Sequence, residues 1–278
     1  PMSDFFDLFL IGEGEEMDNE LLALLKKAKA ENWSKPEFLE RAAQLEGVYV
    51  PSLYDVSYTE GGTIAAVKPH PGAPKRVKRR IVKDFETSVF PTDQIVPSTE
   101  IVHDRVNLEL FRGCIRGCRF CQAGYIYRPV RSRSCERLVE QGIESLKNSG
   151  YQEITLSSLS SSDYRALPEL CDGLLDYCRE RSIGLALPSL RADNFSMDVM
   201  KRVQSVRKAG LTFAPEAGSQ RLRDAINKNV REEDLMNSCA VAFEGGWNSL
   251  KLYFMLGLPT ETDEDVLAIA QIANDVLH

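Results

Sequence analysis

The chain of 278 residues is 43% hydrophobic and 27% charged, and its formal net charge is −7. It has no apolar run near the roughly 18 residues needed to span a membrane, and its first residues lack the basic segment of a signal peptide, so we expect a cytoplasmic protein without a membrane span. The net acidity also disfavours bulk binding of nucleic acid, although a local basic patch could override it.

The first 57 residues predict one strand followed by two helices. The apolar run at 5–11 has the pattern of a buried strand, and helices are expected at about 18–30 and 35–44. One strand and two helices cannot bury a core of their own. We therefore expect residues 1–57 to be the tail of a larger α/β domain.

Residues 58–99 predict a linker or excursion, in which two adjacent glycines and three prolines precede the basic run KRVKRR at 75–80. Such a run is usually a solvated surface, but it could also contact the phosphates of an RNA or of a nucleotide-bearing substrate. Three later arginines would either extend that basic strip or support the neighbouring loop. They are Arg128, Arg131 and Arg133.

Three cysteines with C-x3-C-x2-C spacing follow a predicted strand at 106–112. They are Cys114, Cys118 and Cys121, within the run RGCIRGCRFCQAG at 112–124. A tetrahedral metal ion takes four ligands, whereas a four-iron cluster held by three thiolates keeps one iron open for an exchangeable ligand. The glycines of this run allow tight folding around such a cluster, and its arginines suit the negative charge of the cluster.

A structural zinc site and disulfides are the alternative uses of these cysteines. Zinc would need a fourth ligand, and Cys135, His103 and His70 are within sequence reach. Disulfides are disfavoured because the seven cysteines are an odd number and the chain is long enough to bury an ample core. The remaining cysteines lie in helical patterns and are expected to be buried as small apolar residues. They are Cys171, Cys178 and Cys239.

After the cysteine loop, short apolar strands alternate with helices, which predicts parallel βα units. Further strands are expected at 153–157, 183–187, 211–214 and 249–256. Helices are expected at 134–150, 167–181, 197–209, 220–226, 232–243 and 264–277. With the first strand this makes about five units, and reactive groups of such an arrangement gather where the strands end.

The cysteine motif resembles the signature of the radical S-adenosylmethionine superfamily, in which an aromatic residue precedes the last cysteine, as Phe120 does here. The longer run over 112–133 resembles a largely uncharacterised branch whose members carry a cobalamin-binding-like domain before the radical domain. The resemblance covers 100–278 well and the preceding residues loosely. It implies an α/β chain with a partial (β/α)6 TIM-type barrel, of which about five units are present and the sixth strand is missing, preceded by the tail of the cobalamin-binding-like domain.

The resemblance also implies a 4Fe-4S cluster held by the three cysteines of the motif, with S-adenosyl-L-methionine bound at the open iron. The residues expected to contact this cofactor lie near the strand ends. They are Phe120, then Ser158 and Ser160 after the second strand, Arg191 after the third, Glu216, Ser219 and Arg223 after the fourth, and Leu256, Gly257 and Leu258 after the fifth.

These positions match the family unequally. The two serines lie where many members have Gly-Gly-Glu, and a serine-rich loop is often only a helix cap. Ser219 could likewise cap a helix, with Arg223 exposed. By contrast, the run from Gly257 matches the family's Gly-Leu-Pro-x-Glu-Thr ending.

The implied activity is reductive cleavage of S-adenosylmethionine to a 5′-deoxyadenosyl radical, which removes hydrogen from an unknown substrate. The electron would come from a low-potential donor of the flavodoxin or ferredoxin type. Two alternatives remain open: a methyl- or methylthio-transferring enzyme that modifies RNA or protein, and a non-catalytic metal- or cluster-binding module. Cobalamin enters only by analogy with the branch, because these residues contain no Asp-x-His-x-x-Gly signature.

Overall fold

The structure is a computed structural model. It describes residues 2–99, 101–188, 190–194, 197–204 and 210–277. The chain divides into two compact units, Pro1–Val89 and Phe90–His278, called here the N-terminal and the C-terminal unit. In the described part of the chain, no helix is both long enough and apolar enough to cross a membrane.

The N-terminal unit contains two antiparallel strand pairs and two helices. Its elements are β1 (Phe9–Leu10), α1 (Gly14–Ala30), α2 (Lys35–Ala42), β2 (Val48–Tyr49), β3 (Tyr54–Tyr58) and β4 (Ile64–Pro69). β1 pairs with β2, and β3 pairs with β4. Met17, Leu39 and Val48 form part of the small apolar core between the helices and β2. The strand predicted at 5–11 is therefore reduced to two residues.

The interval predicted as a linker contains regular structure. The β3–β4 hairpin occupies its beginning, and the last residue of the basic run, Arg80, is buried. Its guanidinium donates to Glu20 at 2.6 Å and to Glu16 at 2.7 Å, and these hydrogen bonds raise its pKa. The main-chain amide of Val82 donates to the carboxylate of Glu13 at 2.6 Å. The end of the basic run is thus engaged by acidic groups of α1 and the residue before it.

The C-terminal unit alternates strands with helices, as the sequence predicts. Its strands are β5 (Val106–Glu109), β6 (Phe111–Arg112), β7 (Arg131–Ser132), β8 (Glu153–Ser157), β9 (Gly184–Ala186), β10 (Leu211–Glu216) and β11 (Leu250–Phe254). Its helices are α3 (Ala123–Ile126), α4 (Cys135–Ser149), α5 (Leu167–Arg179), α6 (Met197–Gln204), α7 (Gln220–Ala225), α8 (Glu232–Glu244) and α9 (Asp263–Leu277). The end of the helix predicted at 197–209, residues 205–209, lies outside the described residues.

Five of these strands are parallel and each precedes a helix, which confirms the α/β fold. They pair in the orders β5-β8-β9 and β10-β11, the pattern of a partial TIM-type barrel. The register places Leu108 beside Leu156 and Thr155 beside Ala186, so the carboxyl ends of β5, β8 and β9 lie at one edge. Alternate residues of β8, Ile154 and Leu156, are fully buried.

Helix α4 shows why these units pack as they do. The Ser134 hydroxyl accepts a hydrogen bond from the Arg137 amide at 3.2 Å and begins the helix, and Gly150 ends it with φ of 71°. Leu138 is fully buried on the inner face, and a Cβ on Gly142 would lie only 2.9 Å from Leu174 of α5. Helix α4 therefore packs closely against α5.

Asp265, in the first turn of α9, joins that helix to α7. Its buried carboxylate accepts hydrogen bonds from Arg221 and Ser219, and from the Thr262 amide at 2.8 Å. Mainly through the Arg221 and Ser219 hydrogen bonds, the pKa of Asp265 is held far below its ordinary value. A carboxylate with a depressed folded-state pKa adds stability that is complete above its unfolded pKa and is lost as pH falls.

We therefore expect Asp265→Asn to have a lower thermal unfolding midpoint than the wild type at pH 7. The difference between the two midpoints should become smaller as pH falls below about 5. Asp275→Asn, on the exposed side of the same helix, is the matched control and should follow the wild-type profile. Melting curves between about pH 3 and pH 7 measure this. A difference in unfolding midpoint that stays constant across that pH range would contradict a depressed pKa of Asp265.

Candidate active site

A cavity of about 360 Å³ lies at the carboxyl ends of the parallel strands. Seven residues predicted from the sequence line it: Cys114, Cys118, Cys121, Phe120, Ser160, Arg191 and Glu216. They come from the cysteine loop, from the segments that follow β8 and β9, and from the last residue of β10. The structure thus brings together residues more than 100 positions apart in the sequence.

The three cysteines of the motif are free thiols, of which Cys114 and Cys118 are buried and Cys121 is partly exposed. Among the described residues, no three Cys, His, Asp or Glu side chains are placed to share one metal ion. The thiolates of an iron–sulfur cluster need not converge on one point, because they bind different irons. Three thiols on a wall that also carries cationic side chains fit an anionic cluster in their donor chemistry.

The other four cysteines lie away from this cavity. Cys171, Cys178 and Cys239 are buried, as predicted. Burial raises the pKa of Cys171 to about 12 and that of Cys178 and Cys239 to about 11, which disfavours the thiolate form that binds metals. Cys135, one of the three residues considered as a fourth zinc ligand, packs against the main apolar core.

Gly113 allows the tight entry into the cysteine loop. Its φ is 88°, and a Cβ there would lie 2.7 Å from the Tyr127 carbonyl oxygen and 2.9 Å from that of Pro129. Alanine is disfavoured both by this backbone conformation and by main-chain atoms that cannot move aside.

We expect Gly113→Ala to destabilise the C-terminal unit by about 1–3 kcal/mol and to lower iron retention after reconstitution. Gly124→Ala is the matched control, because its Cβ would meet neighbours only at 3.6 Å and beyond. Chemical denaturation and iron analysis measure both effects. Equal behaviour of the two variants would show that the loop entry is not constrained as described.

The arginines after the cysteine loop support it. Arg128 donates to the carbonyl oxygen of Arg116 at 2.9 Å and to that of Cys114 at 3.4 Å. Arg133 is buried and donates to the carbonyl oxygen of Glu109 at 3.3 Å. The sequence left two roles open for these arginines, extension of the basic strip and support of the loop. The contacts of Arg128 and Arg133 favour support of the loop.

A network of four charged side chains connects the loop to two strand ends. Arg116 donates to Asp163, after β8, at 3.0 Å and to Asp193, after β9, at 3.1 Å. Arg191 donates to Asp193 at 2.8 Å. Burial raises the pKa of Asp163, but Arg116, Ser160 and Arg191 together outweigh it and hold the pKa below its ordinary value. Of this network, Arg191 and, as one of the arginines of the cysteine run, Arg116 were singled out from the sequence. The two aspartates were not, because the pairings join positions up to 77 residues apart.

A second ion pair crosses the cavity wall. The Nζ of Lys228 lies 3.0 Å from the Oε1 of Glu216 and 5.9 Å from the centre of the Phe120 ring. Glu216 has φ of 70° at a register shift at the end of β10, a strained conformation of the kind found at functional sites. Lys228 was missed because it lies in a turn after α7, where its sequence neighbourhood shows no motif.

The serine-rich loop after β8 reaches the cavity in part. Ser160 is buried and lines the wall. Ser158 is not among the lining residues: its hydroxyl accepts from the Ser160 amide at 3.2 Å and lies 3.1 Å from that of Ser161. The Ser158 side chain thus bonds within its own loop, and its expected contact with the cofactor stays a prediction.

Ser219 and Arg223 do not line the cavity. The Ser219 hydroxyl accepts from the Leu222 amide at 3.1 Å and caps α7, as the alternative interpretation proposed. Arg223, which that interpretation placed on the surface, is instead fully buried. It donates to the carbonyl oxygens of Gly218 at 2.9 Å and Ala217 at 3.1 Å. Both side chains stabilise the turn that carries Glu216.

The segment after β11 lies beside the cavity and not on its wall. Leu256 is 69% exposed, and the Gly257 amide donates to the carboxylate of Glu261 at 2.6 Å. Leu258 is buried in an apolar cluster against which Phe120 packs. The expected contacts of these residues with adenine stay a prediction.

Comparison with known proteins gives two family matches. A model described as "Radical SAM superfamily" matches residues 108–273, and one described as "Radical SAM proteins, N-terminal" matches residues 1–51. The chain is 33% identical over 276 residues to an uncharacterized protein of Methanocaldococcus jannaschii, covering 99% of this chain and 53% of that protein. It is 24% identical over 174 residues to a ribosomal-protein methylthiotransferase of Thermotoga petrophila, covering 59% of this chain and 40% of that protein.

Among solved structures, the chain is similar to the cobalamin-dependent S-adenosylmethionine radical enzyme OxsB. The TM-score is 0.63 at 19% sequence identity, over 98% of this chain and 37% of that one. At this identity the likeness concerns the fold alone. The chain spans about half, or less, of the length of these relatives.

Proposed function

The chain belongs to the radical S-adenosylmethionine superfamily, a class of enzymes, and on this premise we propose that it cleaves S-adenosylmethionine reductively and abstracts hydrogen from a substrate. Membership implies a 4Fe-4S cluster, S-adenosyl-L-methionine and a reductant. One observation carries the proposal: the three motif thiols line a single cavity at the carboxyl ends of the parallel strands. In such barrels the reactive groups lie at this end.

When bound, the cluster and S-adenosylmethionine supply the electron transfer and the 5′-deoxyadenosyl radical. Cys114, Cys118 and Cys121 would hold the cluster, and the cationic side chains of the wall would offset its negative charge. Arg191 and Lys228, which line the cavity, would hold the carboxylate of S-adenosylmethionine.

The remaining wall residues would orient the cofactor and exclude water. The Glu216 carboxylate can accept from hydroxyl or ammonium groups, and the buried Ser160 hydroxyl can donate or accept. Leu159, Pro188 and Leu190 add apolar surface. Such a partly apolar wall protects a reactive intermediate from solvent.

The test is anaerobic reconstitution of the full-length protein with iron and sulfide, followed by addition of S-adenosylmethionine and a strong chemical reductant. We expect the spectroscopic signature of a four-iron cluster and formation of 5′-deoxyadenosine with methionine. A loaded cluster that yields no 5′-deoxyadenosine would contradict the proposal.

A methyl- or methylthio-transfer reaction on RNA or protein is the second candidate. It is supported by the similarity to a ribosomal-protein methylthiotransferase. The fold likeness to a cobalamin-dependent enzyme supports cobalamin as a further cofactor of the full-length protein. Methyl transfer also converts S-adenosylmethionine to S-adenosylhomocysteine, whereas hydrogen abstraction alone gives 5′-deoxyadenosine and methionine. Product analysis separates the two, and co-purified cobalamin would support the second. The third alternative, a non-catalytic metal- or cluster-binding module, has no support, because the chain belongs to a class of enzymes.

A further inference from the structure

The cysteine loop also has an outer face, defined here as Ile115 with residues 125–130. Residues 125–130 are exposed without interruption. Their apolar and aromatic members are well exposed: Ile115 by 65%, Tyr125 by 53%, Ile126 by 43%, Tyr127 by 48% and Val130 by 36%. None of these five lines the cavity. A contiguous exposed apolar patch indicates an interaction surface.

The two parts of the outer face are adjacent in space. A Cβ on Gly113 would lie 3.1 Å from the Cα of Val130, and Arg128 donates to the carbonyl oxygens of Cys114 and Arg116 on either side of Ile115. Gly113 and the carbonyl groups on either side of Ile115 are therefore close to residues 128–130.

The outer face lies in a basic part of an acidic chain. Residues 110–134 contain six arginines and neither Asp nor Glu, whereas the whole chain has a net charge of −7. Three of them, Arg112, Arg116 and Arg133, pair with carboxylates. Arg119 and Arg128 are exposed. Apolar and aromatic side chains beside arginines fit an acidic protein partner.

The outer face is also close to a thiol of the motif. A Cβ on Gly124, in α3, would lie 3.8 Å from the Sγ of Cys121. Residues 125–127, at the end of α3 and directly after it, are exposed. A partner bound there would lie close to Cys121 without entering the cavity, which a substrate must enter to meet the radical.

Resting on the proposed function, we propose that the outer face is the docking surface for the electron donor, an acidic protein carrying a low-potential flavin or iron–sulfur centre. In each transfer the donor loses one electron and the cluster gains it, and no bond forms or breaks at this step. An RNA or protein substrate fits less well, because contact with the outer face does not place its reacting group in the cavity.

The test compares Tyr127→Glu and Val130→Glu with Phe243→Glu in the cluster-loaded full-length protein. Phe243, on α8, is 38% exposed and so matches Val130 at 36%. For each, we would measure the dissociation constant of a flavodoxin, the rate of cluster reduction by reduced flavodoxin, and the rate of cluster reduction by titanium(III) citrate.

The new carboxylates of both outer-face variants repel an acidic donor. We therefore expect these variants to bind flavodoxin about tenfold more weakly and to be reduced by it about tenfold more slowly. Phe243→Glu and all titanium(III) citrate rates should match wild type, and added salt should slow only the flavodoxin reaction.

The proposal would be overturned if both outer-face variants bound flavodoxin, and were reduced by it, as well as the wild-type protein. It would also be overturned by an equal loss with titanium(III) citrate, which would place the effect at the cluster, or by a loss of RNA binding with unchanged flavodoxin reduction. The proposed function fails on a different result, the absence of 5′-deoxyadenosine from the reduced, loaded protein. Flavodoxin binding and cluster reduction need no cofactor cleavage, so the two failures are distinguishable.

Discussion

Cys118→Ala is expected to abolish cluster binding and S-adenosylmethionine cleavage together. Cys118 is one of three thiols that line the cavity, and it is 7% exposed. Since outer partners of metal ligands already contribute about 10- to 100-fold to metal affinity or activity, loss of a ligand itself should reduce both below about 1% of wild type. Iron and sulfide content, the visible absorption spectrum and 5′-deoxyadenosine formation measure the outcome.

Cys171→Ala and Cys135→Ala are the matched controls. Cys171 is fully buried in the main core, where burial raises its pKa to about 12. Its replacement should reduce stability modestly, through lost packing, and leave the iron content unchanged. Cys135→Ala should also keep full iron, whereas a zinc site completed by Cys135 would lose its metal. Iron retained by Cys118→Ala, or lost from Cys171→Ala, would contradict the assignment of the motif.

Local sequence patterns predicted the elements of the C-terminal unit well. Strand β8 has the predicted bounds, and α4 begins after Ser134 and ends before Gly150, as their capping preferences require. The cysteine loop was found because its signal lies within eight consecutive residues. Predictions succeeded where the physical cause is local or periodic.

The parts that the sequence did not predict depend on tertiary contact. Arg223 was expected to contact the cofactor or to be exposed, and it is buried because the turn after β10 folds back over its guanidinium. Lys228 meets Glu216 only because that turn returns to the end of the strand. The N-terminal unit shows the same limit, since the pairing of Arg80 with α1 joins residues 60 or more positions apart. No local pattern encodes such pairings.

Arg116→Met is expected to destabilise the C-terminal unit by about 3 kcal/mol and to reduce S-adenosylmethionine cleavage about 100-fold. Asp163 and Asp193 are 9% and 14% exposed at their side chains, so removal of Arg116 leaves one buried carboxylate without its main partner and weakens the neutralisation of the other. The loop that carries the three cysteines would also lose its connection to the ends of β8 and β9. Chemical denaturation, the rate of iron loss to a chelator and 5′-deoxyadenosine formation measure these effects.

A double-mutant cycle with Asp163→Asn separates the ion pair from simple loss of packing. Since the double variant leaves no carboxylate at position 163, its destabilisation should fall short of the sum of the single changes by about 1–2 kcal/mol. Arg105→Met is the matched control, because Arg105 pairs with Glu153 at 2.6 Å at the opposite end of β8 and both side chains are 31% exposed. That partly exposed pair should contribute less than about 1 kcal/mol and should not affect iron retention. Additive effects at positions 116 and 163, or equal iron loss from Arg105→Met, would show that Arg116 does not position the cysteine loop through this network.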